Sequence, residues 1–168
     1  MSAERAANFC PRCGHALEWR ERFGRMRPVC PGCGYTLFFE PKVAVVAFIT
    51  DDDRVLLIQR ANPPAQGLWA LPAGFVDCDE DPKLAVVREA CEETGLVVEV
   101  DSLMDLLHRP DEDGLADIVI AYRCHVTGGS LCAAADADAV GWFPCDALPD
   151  IGLATTQRLI EMWRDGNG

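Results

Sequence analysis

No run of about 18 consecutive apolar residues occurs in this chain of 168 residues, which excludes a membrane-spanning helix. The opening residues, MSAERAANFCPRCG, lack the apolar core of a secretory signal, so a cytoplasmic protein is expected. Positive charge is scarce: 15 Lys and Arg face 27 Asp and Glu, for a formal net charge of −12. That argues against general binding to nucleic-acid backbones, which needs clustered Lys and Arg. A bound divalent cation fits the sign, and so does an acidic surface that aids solubility. Nine cysteines, an odd count in a chain with no export signal, argue for reduced thiols and not a disulfide framework. What is present is an ordinary globular composition, 49% hydrophobic and 25% charged, enough for one good core and a small extra module.

Four cysteines form two near-repeats, FCPRCG (Cys10, Cys13) and VCPGCG (Cys30, Cys33), with sixteen residues between Cys13 and Cys30. This is a zinc-ligand spacing. The Gly after each second Cys permits the tight turn that aims backbone amides at the thiolates. Four thiolates close a tetrahedral shell, so a structural Zn²⁺ is expected. About 35 residues cannot build a core alone, and the metal supplies the missing stability. A redox pair is disfavoured because no βαβ context surrounds it and it would not come twice. Between the knuckles, Arg20, Arg22, Arg25 and Arg27 form a basic patch. It suits either phosphate contact or the solvated face of a hairpin. The remaining cysteines (Cys78, Cys91, Cys124, Cys132, Cys145) stand singly.

After residue 37 the pattern changes, and residues 38–168 read as one α+β domain with a mixed sheet. KVAVVAFIT and RVLLIQRA read as strands joined by an acidic turn. ANPPAQGLWALPAG reads as a loop. ADIVIAYRCHV alternates as a half-buried strand, with LVVEVDSLMDLL and AVGWFP as further strands and TTQRLIEMWRDG as a closing helix. Between them, Asp79 or Asp81 can cap a helix that starts at Pro82 and stops at Gly95. On it, Glu89, Glu92 and Glu93 share an arc of roughly 100°, while Leu84, Val87, Cys91 and Thr94 gather on another side and are expected to pack on the sheet. Arg88 lies at i,i+4 from Glu92 and can also reach back to Glu80. Three hard oxygen donors beside a loop with free carbonyls suit Mg²⁺ or Mn²⁺ completed by substrate phosphates. A solvated acidic face remains the alternative on these residues alone.

The same stretch resembles the signature of the Nudix hydrolases, G-x5-E-x7-R-E-U-x-E-E-x-G-U with U bulky and apolar. Gly74, Glu80, Arg88, Glu89, Glu92, Glu93, Gly95 and Leu96 fall in register, and Ala90 occupies the first U place. GYTLFFEPKV and GLWALPAGFV, after a four-Cys ribbon, are similar to the zinc-ribbon branch that contains FAD, ADP-ribose and NADH pyrophosphatases. The resemblance implies an αβα sandwich and hydrolysis of a nucleoside diphosphate linked to another moiety X, giving a nucleoside monophosphate and phosphorylated X. It implies Mg²⁺ on Glu89, Glu92, Glu93 and the carbonyl of Gly74 or a neighbour, with Arg88 and Glu80 holding the glutamates. In such enzymes the base that takes the water's proton lies either in this stretch or in a later loop, and Glu89 is the one expected here. Two departures stand out. The SQPWPFP segment of NADH pyrophosphatases is absent, and DADAVGWF offers only Asp136 and Asp138 where many relatives place a Glu. Related enzymes are often dimers, so a homodimer is implied by analogy.

A nucleotide diphosphate needs an apolar or aromatic platform for its base and cations for its phosphates. Trp69, Phe48 and Tyr122 are candidates for stacking, and Arg60, His108 and Arg109 for phosphate or ribose. Phe48 and Tyr122 also suit a core, and His108 and Arg109 a solvated loop. Two rivals remain: an NADH or NAD-capped-RNA pyrophosphatase, and a zinc-ribbon regulator whose Nudix fold senses a nucleotide without cleaving it. The intact glutamates argue against the second.

Overall fold

The computed structural model describes residues 7–108 and 116–166. It divides between Pro41 and Lys42 into two compact units. This lies downstream of residue 37 because Leu37 N–H bonds Pro28 O, and Phe38 and Phe39 lie against Phe23 and Trp19 of the ribbon.

In the first unit, β1 (Glu18–Arg22) and β2 (Arg25–Val29) form an antiparallel hairpin. Its turn residues, Phe23 and Gly24, have φ of 51° and 71°. Paired positive φ values match the twist of a two-residue hairpin. On either side sit two knuckles of one geometry. Gly14 N–H bonds Cys10 O at 2.9 Å and Gly34 N–H bonds Cys30 O at 3.0 Å, with Gly14 and Gly34 at φ of 73° and 72°.

The second unit is an αβα sandwich. β3 (Val43–Asp51), β4 (Arg54–Arg60), β5 (Trp69–Ala70), β6 (Ala73–Phe75), β7 (Leu96–His108), β8 (Ile118–Gly129) and β9 (Ala137–Pro144) form a mixed sheet. β3 runs parallel to β8 and antiparallel to β6, and β4 lies between β5 and β9. Period-two alternation assigns the faces. Val45, Ala47, Ile49 and Leu56 join α1 (Pro82–Thr94); Val46, Phe48, Val55 and Leu57 join α2 (Ala154–Gly166). On α2, Leu159, Ile160 and Trp163 are buried, each contributing about 1.5–3 kcal/mol. Among the described residues no helix is long and apolar enough to cross a membrane.

Three expectations need correction. The Pro- and Gly-rich stretch is not all loop: its backbone supplies β5 and β6, which pair with β4 and β3. β8 is covered on both faces over residues 119–124, while His125, Val126 and Thr127 are exposed. Tyr122 and Cys124 pack toward α1 while Val119 and Ala121 pack toward α2, because helices cover both sides. On α1 the buried residues are Ala85, Val86, Ala90, Glu93 and Thr94, with Val87 packed partly against them; of the four residues expected to pack, Thr94 and Val87 do, whereas Leu84 is 66% exposed and Cys91 is exposed too. Small alanines let the helix approach the sheet closely, and that approach carries Glu93 inside with it.

Candidate active site

α1 begins where Asp81 accepts from Lys83 N–H at 2.7 Å, with Pro82 in the first turn. It ends at Gly95, φ 70°, whose N–H bonds Cys91 O. Both caps fix the axial position of the glutamates. Arg88 then gathers the cluster. It grips Glu80 with two bonds of 2.8 Å and donates to Glu89 at 2.7 Å, to Glu92 at 3.2 Å and to Phe75 O at 3.1 Å. A bidentate guanidinium fixes plane as well as distance. It holds Glu80 below the ordinary carboxylate range, chiefly by hydrogen bonding.

Glu89 and Glu93 differ from Glu80. Burial raises the carboxyl of Glu89, against the opposing pull of Arg88. Burial pushes Glu93 up to about 8, although Ala73 N–H donates to it at 2.9 Å. Glu92 is the exposed member, its side chain half accessible. Gly74 makes room: a Cβ there would lie 1.9–2.3 Å from the carboxylate atoms of Glu89. A glycine is therefore required for the β6 backbone to lie against that carboxylate.

Gly74, Phe75, Arg88, Glu89, Glu92 and Glu93 form one wall of a cavity of about 440 Å³. Arg60, Asn62 and Asp136 face the site from other segments, and Val46, Leu71, Val119 and Leu153 line an apolar part. Arg60 Nε donates to Pro64 O at 2.8 Å, which orients its guanidinium. Asn62 donates to Asp136 at 3.0 Å. Three backbone bonds, Ser130 N–H to Gly95 O, Cys132 N–H to Thr94 O and Ala134 N–H to Glu93 O, string the segment before Asp136 along the end of α1.

The second cluster is the four cysteines, whose sulfurs all lie within 4.8 Å of one another. Cys10–Cys33 and Cys13–Cys30 are 3.7 and 3.4 Å apart. A tetrahedral thiolate shell with metal–sulfur bonds of about 2.3 Å has edges of about 3.8 Å. The backbone N–H of Cys33 is the main influence drawing the Cys30 thiol down to about 6. Among the described residues this is the one group of three or more His, Cys, Asp or Glu brought together so closely. The glutamates are not: Arg88 sits between them.

The NUDIX domain family matches residues 40–163. The chain belongs to the Nudix hydrolase family. It is 39% identical to the ADP-ribose pyrophosphatase of Methanocaldococcus jannaschii over 80% of each chain. It is 28% identical to the NAD-capped RNA hydrolase of Pseudomonas aeruginosa over 92% of this chain, but spans only 55% of that relative. Among solved structures, a NUDIX hydrolase from Nitrosomonas europaea superposes with a TM-score of 0.86 at 26% identity, covering 95% of this chain and 91% of that one.

Of the residues expected at the Nudix site, Gly74, Arg88, Glu89, Glu92, Glu93 and Arg60 line the cavity, and so does Asp136; Asp138 does not. Tyr122 is not at the cavity. It is buried in the core beneath α1, since an inward position on a doubly covered strand has no solvent side. Trp69 is not at the cavity either. Its ring meets Phe143 edge-on at 4.7 Å, and its backbone pairs with Asp150 and Gly152. Phe48 is core against Trp163, and His108 is exposed. Arg109 lies outside the described residues. Sequence reasoning missed Asn62 and Thr156. Thr156 Oγ1 accepts from Leu71 N–H at 3.2 Å and pins the start of α2 to the cavity wall. Only its place in the first turn of a helix hinted at this.

Proposed function

We propose that this chain hydrolyses the diphosphate bond of ADP-ribose, FAD or a similar nucleoside diphosphate derivative, with Mg²⁺ or Mn²⁺, to a nucleoside monophosphate and a phosphorylated partner. The observation that carries this is the Arg88-organised carboxylate cluster opening onto one cavity with Arg60. ADP-ribose leads because the relative matched over 80% of both chains is named for it.

The carboxylates of Glu89, Glu92 and Glu93, with the Gly74 carbonyl, would hold the divalent ion. Hard oxygens, one buried and protonated near neutral pH without a cation, fit such an ion. When bound, the ion neutralises diphosphate charge and acidifies a water ligand. Arg88 keeps the glutamates in register, and Arg60 neutralises a phosphate. Glu89, whose carboxyl burial raises against the pull of Arg88, accepts the proton of the attacking water. Asp136, held by Asn62 across the cavity, is the late carboxylate that can assist it. Cys10, Cys13, Cys30 and Cys33 would hold a Zn²⁺, and four sulfur ligands would make that ion structural.

Product chromatography tests this. Purified protein with Mg²⁺ is offered ADP-ribose, FAD, NADH and a nucleotide sugar, beside Glu92→Gln. AMP from one of them, lost in the variant, is the expected result. Nucleotide binding without cleavage in either metal would replace hydrolysis by ligand sensing.

A further inference from the structure

The hairpin of the ribbon carries a feature that hydrolysis does not use. Its register sets Arg20 opposite Arg27 and Arg22 opposite Arg25. Opposed residues of a ladder share a face, so four arginines stand on one side, while Trp19, Glu21 and Met26 stand on the other. Like charges directly opposite each other are destabilising, and this short hairpin carries two such pairs. Arg20 is paired with Glu18 at 2.6 Å. Among the described residues no carboxylate pairs with Arg22 or Arg25, both exposed. Arg27 lies over the rings of Phe23 and Phe38, 5.9 and 5.0 Å from their centroids. Those two rings stack on each other at 6.0 Å and are 77% and 49% exposed.

Charge is segregated along the chain. Residues 1–41 hold six Arg and four Glu, a formal +2, so residues 42–168 hold −14 of the total of −12. The scarcity of positive charge that disfavours nucleic-acid binding by the chain as a whole therefore does not apply to the ribbon.

A partner for this face must satisfy guanidinium groups and flat exposed rings together. An acidic protein surface would leave the rings in water, and an apolar one would strand the guanidinium groups. A duplex has its base faces already stacked. Single-stranded nucleic acid offers phosphates and open base faces in alternation. We propose that the arginine face of the β1–β2 hairpin binds single-stranded nucleic acid, with phosphates on Arg20, Arg22 and Arg25 and a base on the Phe23–Phe38 pair. The inference does not rest on the hydrolase reading, since binding is measured without substrate, Mg²⁺ or Mn²⁺.

The test is fluorescence anisotropy of a labelled twelve-nucleotide oligouridine RNA with the full zinc-loaded chain, between 50 and 200 mM salt. Three phosphate contacts give a log–log salt slope of about −2. Arg22→Gln with Arg25→Gln should weaken binding about tenfold and flatten the slope by about 1.4. Arg22→Lys with Arg25→Lys should retain binding. Phe23→Asn keeps a residue tolerant of positive φ and removes the ring, so affinity should fall about tenfold with the slope unchanged. Zinc content per chain and hydrolysis of the small substrate should stay at wild-type values throughout. Absent binding at 50 mM salt, equal affinity for the duplex, or undiminished binding by the double glutamine variant would overturn the proposal. So would a double glutamine variant that binds RNA normally but changes from dimer to monomer by light scattering, which would assign this face to a second copy.

Discussion

The two units of this chain each collect four acidic side chains, and they do it by opposite means. In the ribbon, two identical backbone turns bring four sulfurs within 4.8 Å of one another, with no counter-charge among them. In the sandwich, a guanidinium stands among Glu80, Glu89 and Glu92 and holds them in place while keeping them apart. A shell that closes on itself suits an ion that only stabilises. An arrangement spaced by Arg88 and open to a cavity leaves coordination sites for water and phosphate.

The difference is broken most completely at the ribbon. If the four cysteines hold zinc as proposed, Cys30→Ser removes one of four ligands, and structural zinc contributes about 10–16 kcal/mol to the folding of such small units. The ribbon should lose its zinc and its structure, while the sandwich melts at its former temperature. Calorimetry with colorimetric zinc release checks this, and one merged transition would count against separate units. At the glutamate cluster the effect falls on rate instead. Gly74→Ala drives a Cβ into the Glu89 carboxylate, and kcat should fall about 10²- to 10³-fold with zinc content unchanged. Arg88→Lys keeps the charge but loses the two-bond grip on Glu80, so kcat/KM should fall about 10- to 100-fold.

The smallest effect concerns pH. Burial raises Glu93 to about 8 from its ordinary 4.5. The folded state therefore binds this proton more tightly than the unfolded one. The stability it contributes is complete below about pH 4.5 and is lost as pH rises toward 8. In protein dialysed free of Mg²⁺, Tm should fall by several degrees between pH 5 and 8. Glu93→Gln should flatten the profile, and added Mg²⁺ at pH 8 should recover the lost stability. A wild-type profile as flat as the variant's would remove the basis for a buried protonated carboxylate.

Much of this arrangement was legible in the sequence because it is local. The knuckle spacing, Asp81 and Gly95 at the ends of α1, and Arg88 one helical turn from Glu92 all depend on residues close in the chain. What escaped depends on layers. Whether Tyr122 faces a cavity or a helix is decided by what covers β8, and Trp69 is claimed by Phe143, far along the chain. The burial of Glu93 was hidden for another reason: Leu84 looks like the packing residue by polarity, yet Ala85 and Ala90 set the helix's depth. Asn62 became visible only through its bond to Asp136, and Asp136 reaches the cavity only because its segment is tied to the end of α1.

The parallel pairing of β3 with β8 has a consequence in time. Lys42 N–H bonds Asp117, 75 residues away, at the start of that pair. During synthesis, which proceeds from the N-terminus, the ribbon's ligands are complete once Cys33 has emerged, and α1 with its glutamates soon after. The strand that closes the sheet comes later still, and contacts so distant in sequence form slowly. The newborn chain thus carries a finished thiolate cluster and an acidic helix before it has an interior in which to bury Glu93.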